Sequence, residues 1–112
     1  MTTTAEWTAL CPRADLENGN MYPFEVGERR VLLCVVDDEV YATNNVCSHA
    51  FALLSDGWLE EGLVECPLHG AQFDVTTGAP VMGPADCPIN TYQTRERDGQ
   101  VEVLLSSDST NA

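Results

Sequence analysis

The placement of the two histidines restricts this chain more than any other feature. Each stands within three residues of a cysteine, as Cys47-Ser48-His49 and, after sixteen intervening residues, Cys66-Pro67-Leu68-His69-Gly70. Two thiolates and two imidazoles are the number and kind of ligands that one four-ligand metal site takes. A lone Cys or His near a strand end is more often a core residue. Both histidines of a chain paired with cysteines in two turn-rich segments is a pattern that chance placement explains poorly.

The segments around these pairs read as short strands. Glu6 to Leu10 and Met21 to Val26 are predicted strands on either side of the turn-rich Glu17-Asn18-Gly19-Asn20. Val31 to Val36 is apolar on both faces, which predicts a central buried strand. Asp37-Asp38-Glu39 then turns the chain into a strand at Val40 to Thr43. Near the end of the sequence, Ile89 to Arg97 and Gln100 to Leu105 flank Asp98-Gly99, the strongest hairpin signal present. Val101, Val103 and Leu105 share one face of the last strand. No window keeps a helical period over three turns, so the expected fold class is all-β, a sandwich or barrel. The stretch from about Asn44 to Pro84 has a different texture. It holds both histidines, two of the five cysteines and five of the eight glycines, as loops that carry function on a β scaffold do.

Size and charge narrow the function classes. At 112 residues the chain fits one domain that buries roughly two-thirds of its unfolded surface. Five basic against 18 acidic residues give a net charge of −13, which argues against nucleic acid or an anionic membrane and for a basic partner or plain solubility. The longest apolar run is Val31 to Val36, too short to span a bilayer. Met1 to Glu6 shows neither a basic region nor an apolar stretch, so no secretory signal is expected and the cytoplasm is the expected compartment. An odd cysteine count there favours metal ligands and thiols over a disulfide framework.

The order of the ligands bears on the metal. A zinc finger places its Cys pair in one knuckle and its His pair on a following helix. Here Cys and His alternate within each arm and no helix is predicted. In a Rieske centre two Cys hold one iron of a [2Fe–2S] unit and two His hold the other, and two loops offering one Cys and one His each suit that cluster better than a single zinc.

With these residues in view, the chain resembles the Rieske proteins, and within them the small Rieske ferredoxins of bacterial aromatic-ring dioxygenase systems. Cys47-x-His49 and Cys66-Pro67-x-His69-Gly70 are similar to the two cluster-binding boxes. Val40-Tyr41-Ala42-Thr43-Asn44 leads into the first box, followed by Ser55-Asp56-Gly57 and Leu59-Glu60; Phe73-Asp74 and Thr77-Gly78 follow the second. The resemblance covers roughly Glu6 to Leu105. It implies one Rieske domain of antiparallel sheets over residues 1–112, with a base from 1–42 and 85–106, an inserted cluster-binding subdomain at 43–84, and a disordered tail at 107–112. It implies one [2Fe–2S] cluster with Cys47 and Cys66 on the inner iron and His49 and His69 on the outer iron. Pro84 resembles the proline of a loop covering the cluster, where it would offer no competing N–H, although an ordinary turn proline explains it nearly as well.

Departures from the wider family set the expected potential. Respiratory Rieske proteins carry two further cysteines where this chain has Ala52 and Leu68, so no disulfide clamps the loops. Ala71 stands where they have a serine, removing a hydroxyl donor to a sulfide. Fewer donors stabilise the reduced cluster less, which places the expected potential near the low end of the Rieske range, about −150 mV. Among the remaining residues, Cys34 reads as a buried small hydrophobe and Cys11 and Cys87 as free thiols. Trp7 and Trp58 read as packing residues, and Glu60-Glu61 as part of a solvated turn. Gly70 reads as a left-handed turn, a close approach to a sulfide, or a plain turn glycine.

The function the resemblance implies is that of a carrier, not an enzyme. Both histidines are used by the cluster, leaving none for a substrate-activating iron or a His-based catalytic set. The expected role is a one-electron shuttle from a flavoprotein ferredoxin reductase to a terminal aromatic-ring-hydroxylating oxygenase. It would act as a monomer that docks transiently near His49 and His69 through a small interface with an acidic rim. Two other readings stay open: a Rieske-like small subunit of another reductase complex, such as a nitrite reductase, and a structural Cys2His2 zinc module.

Overall fold

The structure is a computed structural model and describes residues 5–27, 29–46, 52–67, 70–82 and 88–106. The described residues form eleven strands: β1 (Ala5–Pro12), β2 (Met21–Val26), β3 (Arg29–Val36), β4 (Glu39–Asn44), β5 (Trp58–Glu60), β6 (Leu63–Glu65), β7 (Gln72–Asp74), β8 (Pro80–Met82), β9 (Thr91–Tyr92), β10 (Thr94–Arg97) and β11 (Gln100–Ser106). The only helical elements among them are single 3-10 turns at Arg13–Asp15 and Leu54–Asp56. The all-β reading holds. Among the described residues no helix is long and apolar enough to cross a membrane.

Three antiparallel sheets form, in the orders β1-β11-β10, β2-β3-β4-β9 and β5-β6-β7-β8. β3 lies between β2 and β4 and is buried on both faces, as its apolar run predicts. Because side chains alternate along a strand, it feeds two cores. Val31, Leu33 and Val35 pack with Leu16, Ala42, Val101, Val103 and Leu105, against the β1-β11-β10 sheet. Leu32 and Cys34 pack with Leu54, Val64, Cys66, Ala71, Phe73, Val75 and Ile89, against the β5-β6-β7-β8 sheet. That second core contains Cys66, one of the candidate ligands.

Tight turns set the register. The β3–β4, β5–β6 and β10–β11 hairpins each close on two residues of positive φ: Asp37-Asp38 (52° and 67°), Glu61-Gly62 (52° and 81°) and Asp98-Gly99 (54° and 78°). Two such residues match the right-handed twist of the flanking strands. Asp37-Asp38 lacks glycine and is held from outside instead. Asn18 Oδ1 accepts the Asp38 N–H at 3.1 Å, and Arg13 donates to the Asp38 carbonyl at 3.0 Å.

Two expectations are corrected. Ile89 to Arg97 is not one strand. It divides at Gln93, so that β9 pairs with β4 and β10 with β11. The chain changes sheets there, and the Gln93 carbonyl accepts the Leu104 N–H at 2.9 Å; no Gly or Pro marks the switch. Trp58 is not a packing residue, being 59% exposed, because Leu59 takes the inward position of β5 and leaves Trp58 on the outer face.

Candidate metal centre

Of the four sequence-predicted ligands, the structure places Cys66. Its residue is fully buried in the β3-facing core beside Leu54, Ala71 and Phe73. Cys47, His49 and His69 lie outside the described residues, as do Pro84 and Cys87. What the structure describes is the set of stems from which these segments spring.

The stem of the second arm is a closed loop. The Cys66 N–H donates to the Ala71 carbonyl at 2.7 Å, and the Gly70 N–H donates back to the Cys66 carbonyl at 3.1 Å. Gly70 has φ +75°, and the space around it is open, the Glu65 carboxylate being the nearest group at 3.8 Å from where a Cβ would stand. Its glycine is therefore required by the left-handed backbone, one of the readings the sequence left open. Gln72 Nε2 donates to Glu65 Oε1 at 2.9 Å across the same stem.

The stem of the first arm depends on a residue that sequence reasoning missed. Val46 and Leu53 form a bridge that closes the segment between them. Asn45, 3% exposed, ties this bridge down on every side. Its N–H donates to the Arg30 carbonyl at 2.8 Å and its own carbonyl accepts the Leu54 N–H at 2.7 Å. Its side chain accepts the Ser55 N–H at 2.8 Å and donates to Ser55 Oγ at 3.0 Å. A buried amide satisfied in this way fixes a loop in one geometry. The only signal in sequence is a polar Asn-Asn before the box, which looks like any turn.

The two stems then meet. A Cβ on Gly57 would stand on the Glu65 carbonyl oxygen and 3.1 Å from Pro67 Cδ, so the chain after the first arm lies directly against the start of the second. A third segment joins them: the Ile89 N–H donates to the Gly78 carbonyl at 2.9 Å, and Ile89 packs in the same core as Leu54 and Cys66. The flanks of 47–51, 68–69 and 83–87 thus belong to one packed unit. One buried thiol at that junction, with a second Cys and both His on the adjoining segments, is a donor set that suits an iron–sulfur cofactor.

Cys34 lies in the same core and is likewise fully buried. Its burial pushes the thiol up to about 12, which agrees with the reading of a neutral, inert side chain. Cys11 is half-buried and also raised, by burial and then by the nearby Asp15 carboxylate. Cys11, Cys34 and Cys66 form no disulfide among the described residues.

Comparison with known proteins agrees with this arrangement. Residues 6–93 match the Rieske [2Fe–2S] domain. The chain is 39% identical over 101 residues to the anthranilate 1,2-dioxygenase ferredoxin subunit of Burkholderia cepacia, covering 90% of this chain and 94% of that protein. It is 41% identical over 103 residues to the biphenyl 2,3-dioxygenase ferredoxin component of Rhodococcus jostii, covering 92% and 96%. In three dimensions it is similar to a chain in the complex of reduced oxygenase and oxidized ferredoxin of carbazole 1,9a-dioxygenase. The TM-score there is 0.82 at 34% identity, with 87% of this chain and 91% of that one covered.

Proposed function

The chain belongs to the Rieske [2Fe–2S] domain family, and from that premise we infer that it is a one-electron carrier, a Rieske ferredoxin passing electrons from a flavoprotein reductase to a terminal aromatic-ring-hydroxylating oxygenase. One observation carries this reading: the relatives matched over 94% and 96% of their own length are ferredoxin components of dioxygenase systems. In this reading the protein has no substrate pocket of its own, and the choice of aromatic substrate belongs to the oxygenase.

Cys47 and Cys66 are the proposed thiolate ligands and His49 and His69 the proposed imidazole ligands of one [2Fe–2S] cluster. When bound, the cluster supplies storage for a single electron. The rest is the work of the chain. The buried core around Cys66 keeps water from that thiol, while Asn45 and the close approach at Gly57 hold the stems of the two arms together. With His49 and His69 as ligands, partners would dock near them, and the net charge of −13 speeds encounter with a basic surface at low salt.

The test is iron and acid-labile sulfide analysis with a redox titration of the same sample, repeated on His69→Cys. Two irons and two sulfides per chain are expected. The substitution should lower the potential from the Rieske range of about −150 to +300 mV towards the all-Cys value near about −400 mV. A zinc-loaded, sulfide-free protein overturns the carrier reading, and an unchanged potential overturns the role of His69.

A further inference from the structure

We infer that the outer face of the β5-β6-β7-β8 sheet is a docking surface for a redox-partner protein, with Trp58 as its anchor and an arginine of the partner stacked on the Trp58 ring. The inference rests on the carrier reading and adds to it a face, a residue and the chemistry of the partner.

The face is defined by register. Leu59, Val64 and Phe73 are cross-strand neighbours turned into the core, so the residues beside them point outward. The outward set is Trp58, Glu60, Leu63, Glu65, Gln72 and Asp74. Trp58, Glu65 and Gln72 make one cross-strand row, the row next to Cys66 and Ala71 and therefore the part of the sheet nearest the second ligand arm. Gln72 holds the Glu65 carboxylate in that row.

Two properties of this row point to a partner. The first is exposure: Trp58 is 59% exposed. A large ring left in water is the side chain with most to gain from being covered, and tryptophan is the residue most enriched where interfaces concentrate their affinity. The second is charge. Glu60, Glu65 and Asp74 lie on the same face, with Glu61 in the adjoining turn. Neither lysine nor arginine occurs anywhere between Val31 and Thr94, so this whole stretch of chain has no permanent cation to offer the ring.

The other tryptophan shows the arrangement completed. The Arg95 guanidinium lies 4.1 Å from the centroid of the Trp7 ring, and its Nε donates to Glu102 Oε1 at 2.6 Å. Ring, cation and carboxylate make a closed set there. Trp58 has the ring and, directly across the strand pair, the Glu65 carboxylate. A guanidinium between them repeats the Trp7 set, and arginine suits it better than lysine because its planar group stacks on a ring while pairing with a carboxylate.

The test uses the cluster-loaded protein and two peptides of equal charge, hexa-arginine and hexa-lysine, titrated by calorimetry at low salt. The arginine peptide should bind about two- to five-fold more tightly than the lysine peptide. Trp58→Thr should abolish that preference and Trp58→Phe should retain part of it, with iron content and potential unchanged in both. Equal affinity for the two peptides in the natural protein, or a preference that survives Trp58→Thr, overturns the inference. Loss of the carrier reading is seen separately, as absence of iron and sulfide in the same samples.

Discussion

The two faces of β3 support two different kinds of structure. On one side Val31, Leu33 and Val35 meet β1 and β11, long strands paired from Ala5↔Ser106 to Pro12↔Gln100. On the other, Leu32 and Cys34 meet β6 and β7, three-residue strands whose connection carries the second candidate ligand pair, the first pair lying between β4 and β5. The first side is held by ladder hydrogen bonds along whole strands. The second relies on a compact core, two glycines and one buried asparagine. Extended pairing gives a rigid base, whereas short strands leave enough loop to surround a cofactor; a single strand buried on both faces joins the two.

Truncating each core in turn separates these contributions. Phe73→Ala removes the largest fully buried side chain of the site-facing core and should cost about 3–5 kcal/mol, while Leu33→Ala on the other face should cost about 2–5 kcal/mol. Urea unfolding followed alongside iron retention distinguishes them. Phe73→Ala should release iron before the base unfolds, and Leu33→Ala should lose iron only with global unfolding. Parallel loss in both variants would mean that the two cores act as one unit.

Asn45→Ala sharpens the comparison at the hinge between the regions. It leaves the Ser55 N–H and hydroxyl without their partner and should cost about 1–3 kcal/mol. Asn45→Asp, which keeps the acceptor and loses only the donor to Ser55, should recover part of this. A loss under 0.5 kcal/mol, measured against an estimate on the order of 1 kcal/mol per net hydrogen bond, would show that the arm is held by packing alone.

The effect that vanishes at neutral pH concerns Cys34. Its pKa is raised by burial from 9.0 to about 12, so above pH 9 the unfolded chain has lost a proton that the folded chain keeps. That contribution to stability is fully present below the unfolded value and is lost as pH rises towards the folded one, with a slope of about 1.4 kcal/mol per pH unit at most. Cys34→Ala should flatten the decline between pH 9 and 12 in equilibrium unfolding. An unchanged slope would show that Cys34 meets water in the folded state.

Much of this was legible in the residues. The doubly apolar run at Val31 to Val36 identified the shared strand, and Asp98-Gly99 identified the last hairpin, because both signals are local. The alternation of Cys and His likewise needs no neighbours to be read. Trp58 was misread because periodicity over a three-residue strand does not say which side is inward. The division at Gln93 was missed because a change of sheet leaves both halves with ordinary strand residues. Asn45 was missed because its value lies in Arg30, Leu54 and Ser55, none of which is adjacent to it.

The sequence by itself determined the all-β class and the double burial of β3, and it singled out the candidate ligands, since each reading follows from residue chemistry and a period of two along the chain. Only the tertiary structure decided that Gly57 lies against Glu65, that Asn45 clamps the first arm and that Trp58 faces outward. Those are distances between residues brought together by folding, and a linear pattern does not contain them.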